Sequence, residues 1–297
     1  MKMFLRKNKA LFEAQKVAVH LDEFRDREVT PEDIINLAKS DYQNNYQQII
    51  ISEDANIIGL MPGIFGSSDR NFFNTNCILK FANLIAGVNQ KYSTKFLLCV
   101  RRQDTYLESC YKFRKTHGAK YSLEYFIEKV AKIDVSWYDL VNAVASYIGE
   151  ENCLITPYEL LKKSQPEFIA TFFRSITTIN LEQAIIPPPN NQGASELVMA
   201  AIDYFDRKFP EIPDNHRKEI LSIIKKNQAK KATKSSLLSE KSKNEILQKY
   251  AASNRKLFSN YVRYLPEDYY NLANHKNNTV PSDRLLTTNT TKPHNGN

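Results

Sequence analysis

Short apolar runs alternate with longer amphipathic segments along the first half of the chain. Four runs predict β-strands: KVAVH at residues 16–20, QIIIS at 48–52, KFLLCV at 95–100 and CLIT at 153–156. The QIIIS and KFLLCV runs are continuously apolar, which is typical of parallel strands buried on both faces. The pattern predicts an α/β fold with three layers, α/β/α, around a parallel sheet of about four or five strands.

Helical periodicity fills the segments between these runs. The helix at residues 30–40 has the clearest start, because Thr30 suits an N-cap and Pro31 suits the first helical position. Further helices are predicted at residues 74–87, 104–116, 122–132, 137–148, 195–208 and 244–262. We therefore expect one domain over residues 1–272, helical from about residue 157, and a disordered polar tail over residues 273–297.

Composition is consistent with one hydrophobic core. The chain has 297 residues, 42% of them hydrophobic, and no apolar run long enough to span a membrane. The basic N-terminal segment lacks the features of a signal peptide, which predicts a cytoplasmic protein. Because the four cysteines form no CxxC pair, they are interpreted as buried reduced thiols, and the sequence suggests no metal site.

The net charge of +8 is concentrated in one segment. Residues 207–263 carry fifteen Lys and Arg residues against five Asp and Glu residues. Such a block attracts polyanions, including nucleic acid, anionic lipid and acidic glycans. The alternative interpretation is a solvated helical surface.

The segment most informative about chemistry is KFLLCVRRQDTYLESCYKFRK, at residues 95–115. A strand ends in Arg101 and Arg102, and the following helix carries Ser109. Ligands of open parallel sheets bind at the carboxyl ends of the strands, and Arg and Ser side chains donate well to phosphate oxygens. Alternatively, the two arginines are surface charges and Asp104 is an N-cap.

These residues resemble the P-loop-like sulfotransferases, in the version found in bacterial carbohydrate sulfotransferase-like proteins. That family pairs an Arg at a strand end with a Ser eight residues later, and Arg101 and Ser109 have this spacing. The resemblance implies that both hold the 3′-phosphate of the donor, 3′-phosphoadenosine 5′-phosphosulfate. It extends over residues 4–262 through IIISED, RRQDTYLESCYKFRKTHG, WYDLVNAVASYIGEENCLITPYELL and QKYAASNRKLFSNYV.

One departure concerns the family's N-terminal loop, which is rich in Lys, Gly and Thr and cradles the 5′-phosphosulfate. The first glycine here is Gly59, and residues 4–16 resemble the helix that follows such a loop. We expect codons upstream of Met1 to encode a strand and this loop. An in-frame stop codon directly before Met1 would instead indicate a chain that has lost half of its donor site.

Four side chains are candidates for the base that takes a proton from the acceptor hydroxyl, with Asp54 as a less favoured substitute for Glu53. Glu53 is the first, because it directly follows the QIIIS strand. His117 is the second, although its position at a helix end also suits an interaction with exposed carbonyl groups. His20 ends a predicted strand, and the sequence indicates no partner for it.

The resemblance implies transfer of a sulfuryl group from this donor to a carbohydrate hydroxyl. Two alternatives stay open. One is an inactive remnant that binds a glycan or a protein partner, as the missing loop favours. The other is a nucleic-acid-binding protein that uses residues 207–263, ranked last because the chain has no recognised nucleic-acid-binding motif.

Overall fold

The fold is mixed α/β and mostly helical, with small parallel sheets. It was analysed as a computed structural model, which describes residues 2–21, 23–24, 29–52, 75–131, 134–173, 179–187, 194–226 and 236–270. The predicted tail at residues 273–297 lies outside this range. No helix in the described part of the chain is long and apolar enough to cross a membrane.

Strands form at all four predicted apolar runs. They are β1 (Val17–Leu21), β2 (Gln48–Ser52), β3 (Phe96–Val100) and β4 (Cys153–Pro157). In the described residues they pair as two separate parallel sheets, β1 with β2 and β3 with β4. The sequence predicted parallel pairing correctly, but it predicted one sheet where these residues form two.

The two sheets are separate because the edge of β3 that faces away from β4 has no neighbouring strand among the described residues. The Val100 carbonyl accepts from the Tyr158 N–H, so the Val100 backbone faces β4. By alternation, the backbone groups of Leu97 and Cys99 face the other way. The edge of β4 that faces away from β3 is blocked to a further strand. Pro157 there has no N–H to donate, and the Ile155 carbonyl already accepts from the Tyr264 hydroxyl.

Helices occupy most of the remaining chain. In order they are α1 (Lys2–Lys7), α2 (Lys9–Ala14), α3 (Pro31–Gln43), α4 (Thr75–Asn89), α5 (Gln103–Thr116), α6 (Leu123–Ala131), α7 (Trp137–Ile148), α8 (Glu159–Lys163), α9 (Gln165–Phe173), α10 (Glu196–Lys208), α11 (Asp214–Lys226) and α12 (Glu240–Tyr261). The predicted N-cap of α3 is confirmed, since Thr30 and Asp33 form a reciprocal capping box. The predicted helical character after residue 157 is also confirmed for the described residues.

Aromatic contacts join both sheets to one hydrophobic core. Helix α2 packs on β1 and α9 packs on β4, and the rings of Phe12 and Phe173 from these helices lie 5.8 Å apart. Helix α4 packs against α3 and α7, and its Phe81 ring lies 5.5 Å from Phe96 of β3. Shared helices therefore hold the two sheets in one unit, although no strand joins them in the described residues.

A buried pair of amides attaches α12 to the start of α5. The Gln103 amide donates to Asn254 at 2.8 Å, and the Asn254 amide donates back to Gln103 at 3.0 Å. Both residues are almost completely buried, so each amide depends on the other for its hydrogen bonds. This pair links the late segment QKYAASNRKLFSNYV to the segment that carries Arg101 and Ser109.

We predict that Asn254→Leu lowers the free energy of unfolding by about 1–3 kcal/mol, because it leaves the Gln103 amide buried without a partner. The double variant Gln103→Met/Asn254→Leu should lose less than the sum of the two single variants, since it removes both polar groups. Urea denaturation measures both effects. Strict additivity would show that the amide pair contributes no coupling.

Candidate functional site

Arg101 lies directly after β3, where its side chain contacts two neighbouring elements. Its Nε donates to the Thr105 hydroxyl at 3.0 Å, and its guanidinium carbon lies 5.0 Å from the centre of the Tyr158 ring. The Trp137 indole N–H donates to the Arg101 carbonyl at 2.7 Å and fixes the backbone. Arg101 has no carboxylate partner among the described residues, so none of them compensates its charge.

Ser109 lies on the same side of α5 as Thr105. The two residues are four apart, which places them one above the other on a helix, about 6 Å along the axis. Because Thr105 contacts Arg101, this spacing aligns Arg101, Thr105 and Ser109 along one face of α5. The two residues proposed for the 3′-phosphate therefore lie on a common face, and both are half-buried.

Arg102 points away from Arg101 and is fully engaged inside the protein. Its Nε donates to one carboxylate oxygen of Asp104 and its Nη2 donates to the other, each at 2.7 Å. The ion pair is therefore bidentate. Asp104 is only 1% exposed, so this ion pair is buried. The alternative interpretation of Asp104 as an N-cap is wrong, because its carboxylate binds Arg102 and the helix has no side-chain cap.

Glu159 at the start of α8 joins the ends of β3 and β4. One carboxylate oxygen accepts from the Arg102 backbone N–H at 3.2 Å, and the other lies 2.9 Å from the Tyr270 hydroxyl. Burial, and then the Glu159 charge, raise the pKa of Tyr270 well above its usual range. The Tyr270 hydroxyl therefore stays protonated and serves as a donor, 3.1 Å from the Val100 carbonyl as well.

Cysteine chemistry does not contribute to this region. Cys99 on β3, Cys110 on α5 and Cys153 on β4 are all free. Burial raises the pKa of each thiol to about 12, so none is a thiolate near neutral pH. Cys110 and Cys153 are buried, as predicted, whereas Cys99 is half-buried.

His117 lies at the opposite end of α5 from Arg101. The fourteen residues of this helix span about 21 Å. The exposed imidazole stacks on the Phe113 ring, with centroids 4.0 Å apart, and its Nδ1 lies 2.7 Å from the Phe113 carbonyl. The structure therefore does not bring His117 to the Arg101 region, and its contacts are those of a histidine at a helix end.

The other three candidate bases have different outcomes. Glu53 and Asp54 lie outside the described residues, which include Ser52 as the end of β2. His20 has a partner that sequence analysis missed: its Nε2 lies 2.6 Å from a carboxylate oxygen of Asp41 on α3. The partner is twenty-one residues away, and no local sequence pattern signals such a contact.

Part of the predicted basic block at residues 207–263 is turned inward. Arg217 is 3% exposed and binds Asp206 of α10 through two N–H groups, at 2.8 and 2.7 Å. Lys115 of α5 adds a second buried cation, with its ammonium 2.9 Å from Asp203 and 3.0 Å from Asp206. These charges join α5, α10 and α11, and they are unavailable to an external polyanion.

The different environments of the two arginines predict different losses of stability. Arg102→Ala leaves the Asp104 carboxylate buried without its cation and should lower the free energy of unfolding by about 3–5 kcal/mol. Arg101→Ala removes one hydrogen bond and one ring contact and should cost about 1–2 kcal/mol. Chemical denaturation of both variants tests this order, and equal losses would contradict it.

Comparisons with protein-family models, with curated proteins and with solved structures find no match to the chain.

Proposed function

We propose that the chain is a sulfotransferase that transfers a sulfuryl group from 3′-phosphoadenosine 5′-phosphosulfate to a carbohydrate hydroxyl. The observation that carries the proposal is an uncompensated Arg101 at the carboxyl end of a parallel strand, on one face with Ser109. Ligands of parallel α/β sheets bind at this end of the strands. The proposal includes a three-layer α/β/α arrangement in which the two sheets are halves of one.

The side chains around Arg101 suit the 3′-phosphate of the donor. The Arg101 Nε is occupied by Thr105, and its remaining N–H groups make no hydrogen bond with any described residue. The Thr105 hydroxyl itself donates to the Arg102 carbonyl, so it is also occupied. Arg101 can therefore offer charged donors, and Ser109 a hydroxyl, to separate phosphate oxygens.

The chain's contribution to the reaction would consist of positioning and proton removal. The donor supplies the sulfuryl group, and Arg101 and Ser109 hold the nucleotide at its 3′-phosphate. As the acceptor oxygen attacks sulfur, the bond between sulfur and the 5′-phosphate oxygen breaks and adenosine 3′,5′-bisphosphate leaves. A carboxylate at Glu53 would accept the proton of the acceptor hydroxyl. Holding the donor in place lowers the activation barrier, because its translational and rotational freedom is lost on binding, before the reaction.

A second candidate function is binding of a glycan or protein partner without transfer. It would use the same face of Arg101 and Ser109 to hold an anionic group of the partner. Nucleic-acid binding ranks last, because Lys115 and Arg217 form ion pairs with carboxylates of the protein itself.

We predict that Arg101→Ala weakens binding of adenosine 3′,5′-bisphosphate about 10- to 150-fold, because a charge-assisted contact is worth about 1.5–3 kcal/mol. Ser109→Ala should weaken it about 2- to 10-fold, since it removes a neutral donor. Arg101→Lys should recover only part of the loss, because Lys cannot form the planar fork. Isothermal titration calorimetry measures all three dissociation constants.

Arg102→Ala provides the control, studied at a temperature where the variant is folded. Its effect on nucleotide affinity should be smaller than that of Arg101→Ala, because Arg102 is directed toward Asp104. A larger effect of Arg102→Ala would show that the motif is assigned one residue out of register and that Arg102 is its phosphate-binding arginine. If neither arginine affects measurable binding, the sulfotransferase proposal fails.

We predict that Glu53→Gln leaves the affinity for adenosine 3′,5′-bisphosphate nearly unchanged and lowers turnover roughly 10²- to 10⁴-fold, because a neutral amide cannot accept the proton. The measurement is transfer of labelled sulfuryl groups to carbohydrate acceptors. Unchanged turnover would remove Glu53 from the mechanism and direct attention to His117 and His20. A chain that binds the nucleotide but transfers nothing would favour the binding module.

A further inference from the structure

We infer that Lys162 is a second cationic residue of the Arg101 site, and that the two residues together bind the dianion of a phosphate monoester. The inference rests on the proposed function only for the identity of the nucleotide. The cation pair itself is argued from the positions and contacts of Arg101, Tyr158 and Lys162.

The first argument is the position of Lys162 on α8. Tyr158 precedes this helix and already has helical backbone angles, with φ −58° and ψ −28°. Lys162 follows Tyr158 by four residues, so it lies on the same side, one turn farther along. Because the Arg101 guanidinium lies over the Tyr158 ring, Lys162 is on the side of α8 that faces Arg101.

The second argument concerns nearby anions: Glu159 and Asp104 attract the Lys162 ammonium, but both carboxylates are already bound by other donors. In the described part of the chain Lys162 forms no ion pair or hydrogen bond. The nearest carboxylate on its own helix, Glu159, already accepts from the Arg102 N–H and the Tyr270 hydroxyl. The other carboxylate of this region, Asp104, is bound by the Arg102 fork. Local carboxylates are therefore committed elsewhere.

The third argument is electrostatic. Desolvation of its ammonium, and after it the positive charge of Arg101, lower the pKa of Lys162. The negative charges of Glu159 and Asp104 raise this pKa in turn, so Lys162 lies in a field set by both arginine and carboxylate groups. An anion that binds between Arg101 and Lys162 would replace repulsion by two attractions, which is a stronger driving force than either cation provides alone.

The chemistry of the two cations defines the ligand class. Arg101 offers a planar fork fixed by Thr105 and Tyr158, whereas Lys162 offers a compact charge on a flexible stem. Two cations match a group that carries nearly two negative charges at pH 7, as a phosphate monoester does with a second pKa of about 6. A phosphodiester, with one charge, would gain less from the second cation.

The test compares Lys162→Ala with Lys163→Ala in the full chain. Lys163 is the next residue on α8, also exposed, and about 100° around the helix. The probes are adenosine 3′-monophosphate and adenosine 3′,5′-bisphosphate, measured by calorimetry at low salt, and adenosine as the ligand without a phosphate. Lys162→Ala should weaken the first two about 5- to 20-fold and leave the third unchanged.

Further variants separate charge from packing. Lys162→Arg should restore most of the affinity, and Lys162→Glu should weaken both 3′-phosphates more than Lys162→Ala does. Lys163→Ala should change each dissociation constant less than about twofold. Equal effects of Lys162→Ala and Lys163→Ala, or an equal loss for adenosine, would overturn the inference.

Inorganic phosphate separates this inference from the proposed function. Suppose that the wild-type chain binds inorganic phosphate but neither nucleotide, and that Lys162→Ala abolishes the phosphate binding. The proposed donor is then wrong, whereas the cation pair is supported. If the wild-type chain binds neither nucleotides nor inorganic phosphate, both the proposed function and the cation pair are overturned.

Discussion

The Glu159 carboxylate is the constraint on which the rest of the site depends. It holds the backbone of Arg102 with one oxygen and faces the Tyr270 hydroxyl with the other. The chain therefore leaves β3 in one fixed direction, beside the start of α8. That direction sends Arg102 toward the buried Asp104 and Arg101 toward the ring of Tyr158.

Two adjacent arginines consequently have different physical roles. Arg102 compensates a carboxylate that is 1% exposed, so its charge contributes to folding. Arg101 is held by a hydroxyl and an aromatic ring, neither of which compensates its charge. A fixed cation that pairs with no carboxylate in the described part of the chain can bind an anion with little further ordering.

Local patterns were sufficient to predict the strands and the capping of α3 by Thr30, since each depends on residues close in sequence. Contacts between distant residues were not predictable in this way. The partner of Asn254 is Gln103, 151 residues away, and the pairing of β3 leaves one edge without a described neighbour. Helix α11 was also not predicted, because its sequence is mainly polar and basic and its few apolar residues lie along one face.

The most direct test of the central claim is a titration of the chain with adenosine 3′,5′-bisphosphate, followed by NMR of the arginine Nε–H groups. The account predicts that the Arg101 signal shifts in a saturable way, while the Arg102 signal, fixed by Asp104, stays nearly constant. Shifts confined to the exposed Arg255 on α12, or a larger shift for Arg102 than for Arg101, would contradict it.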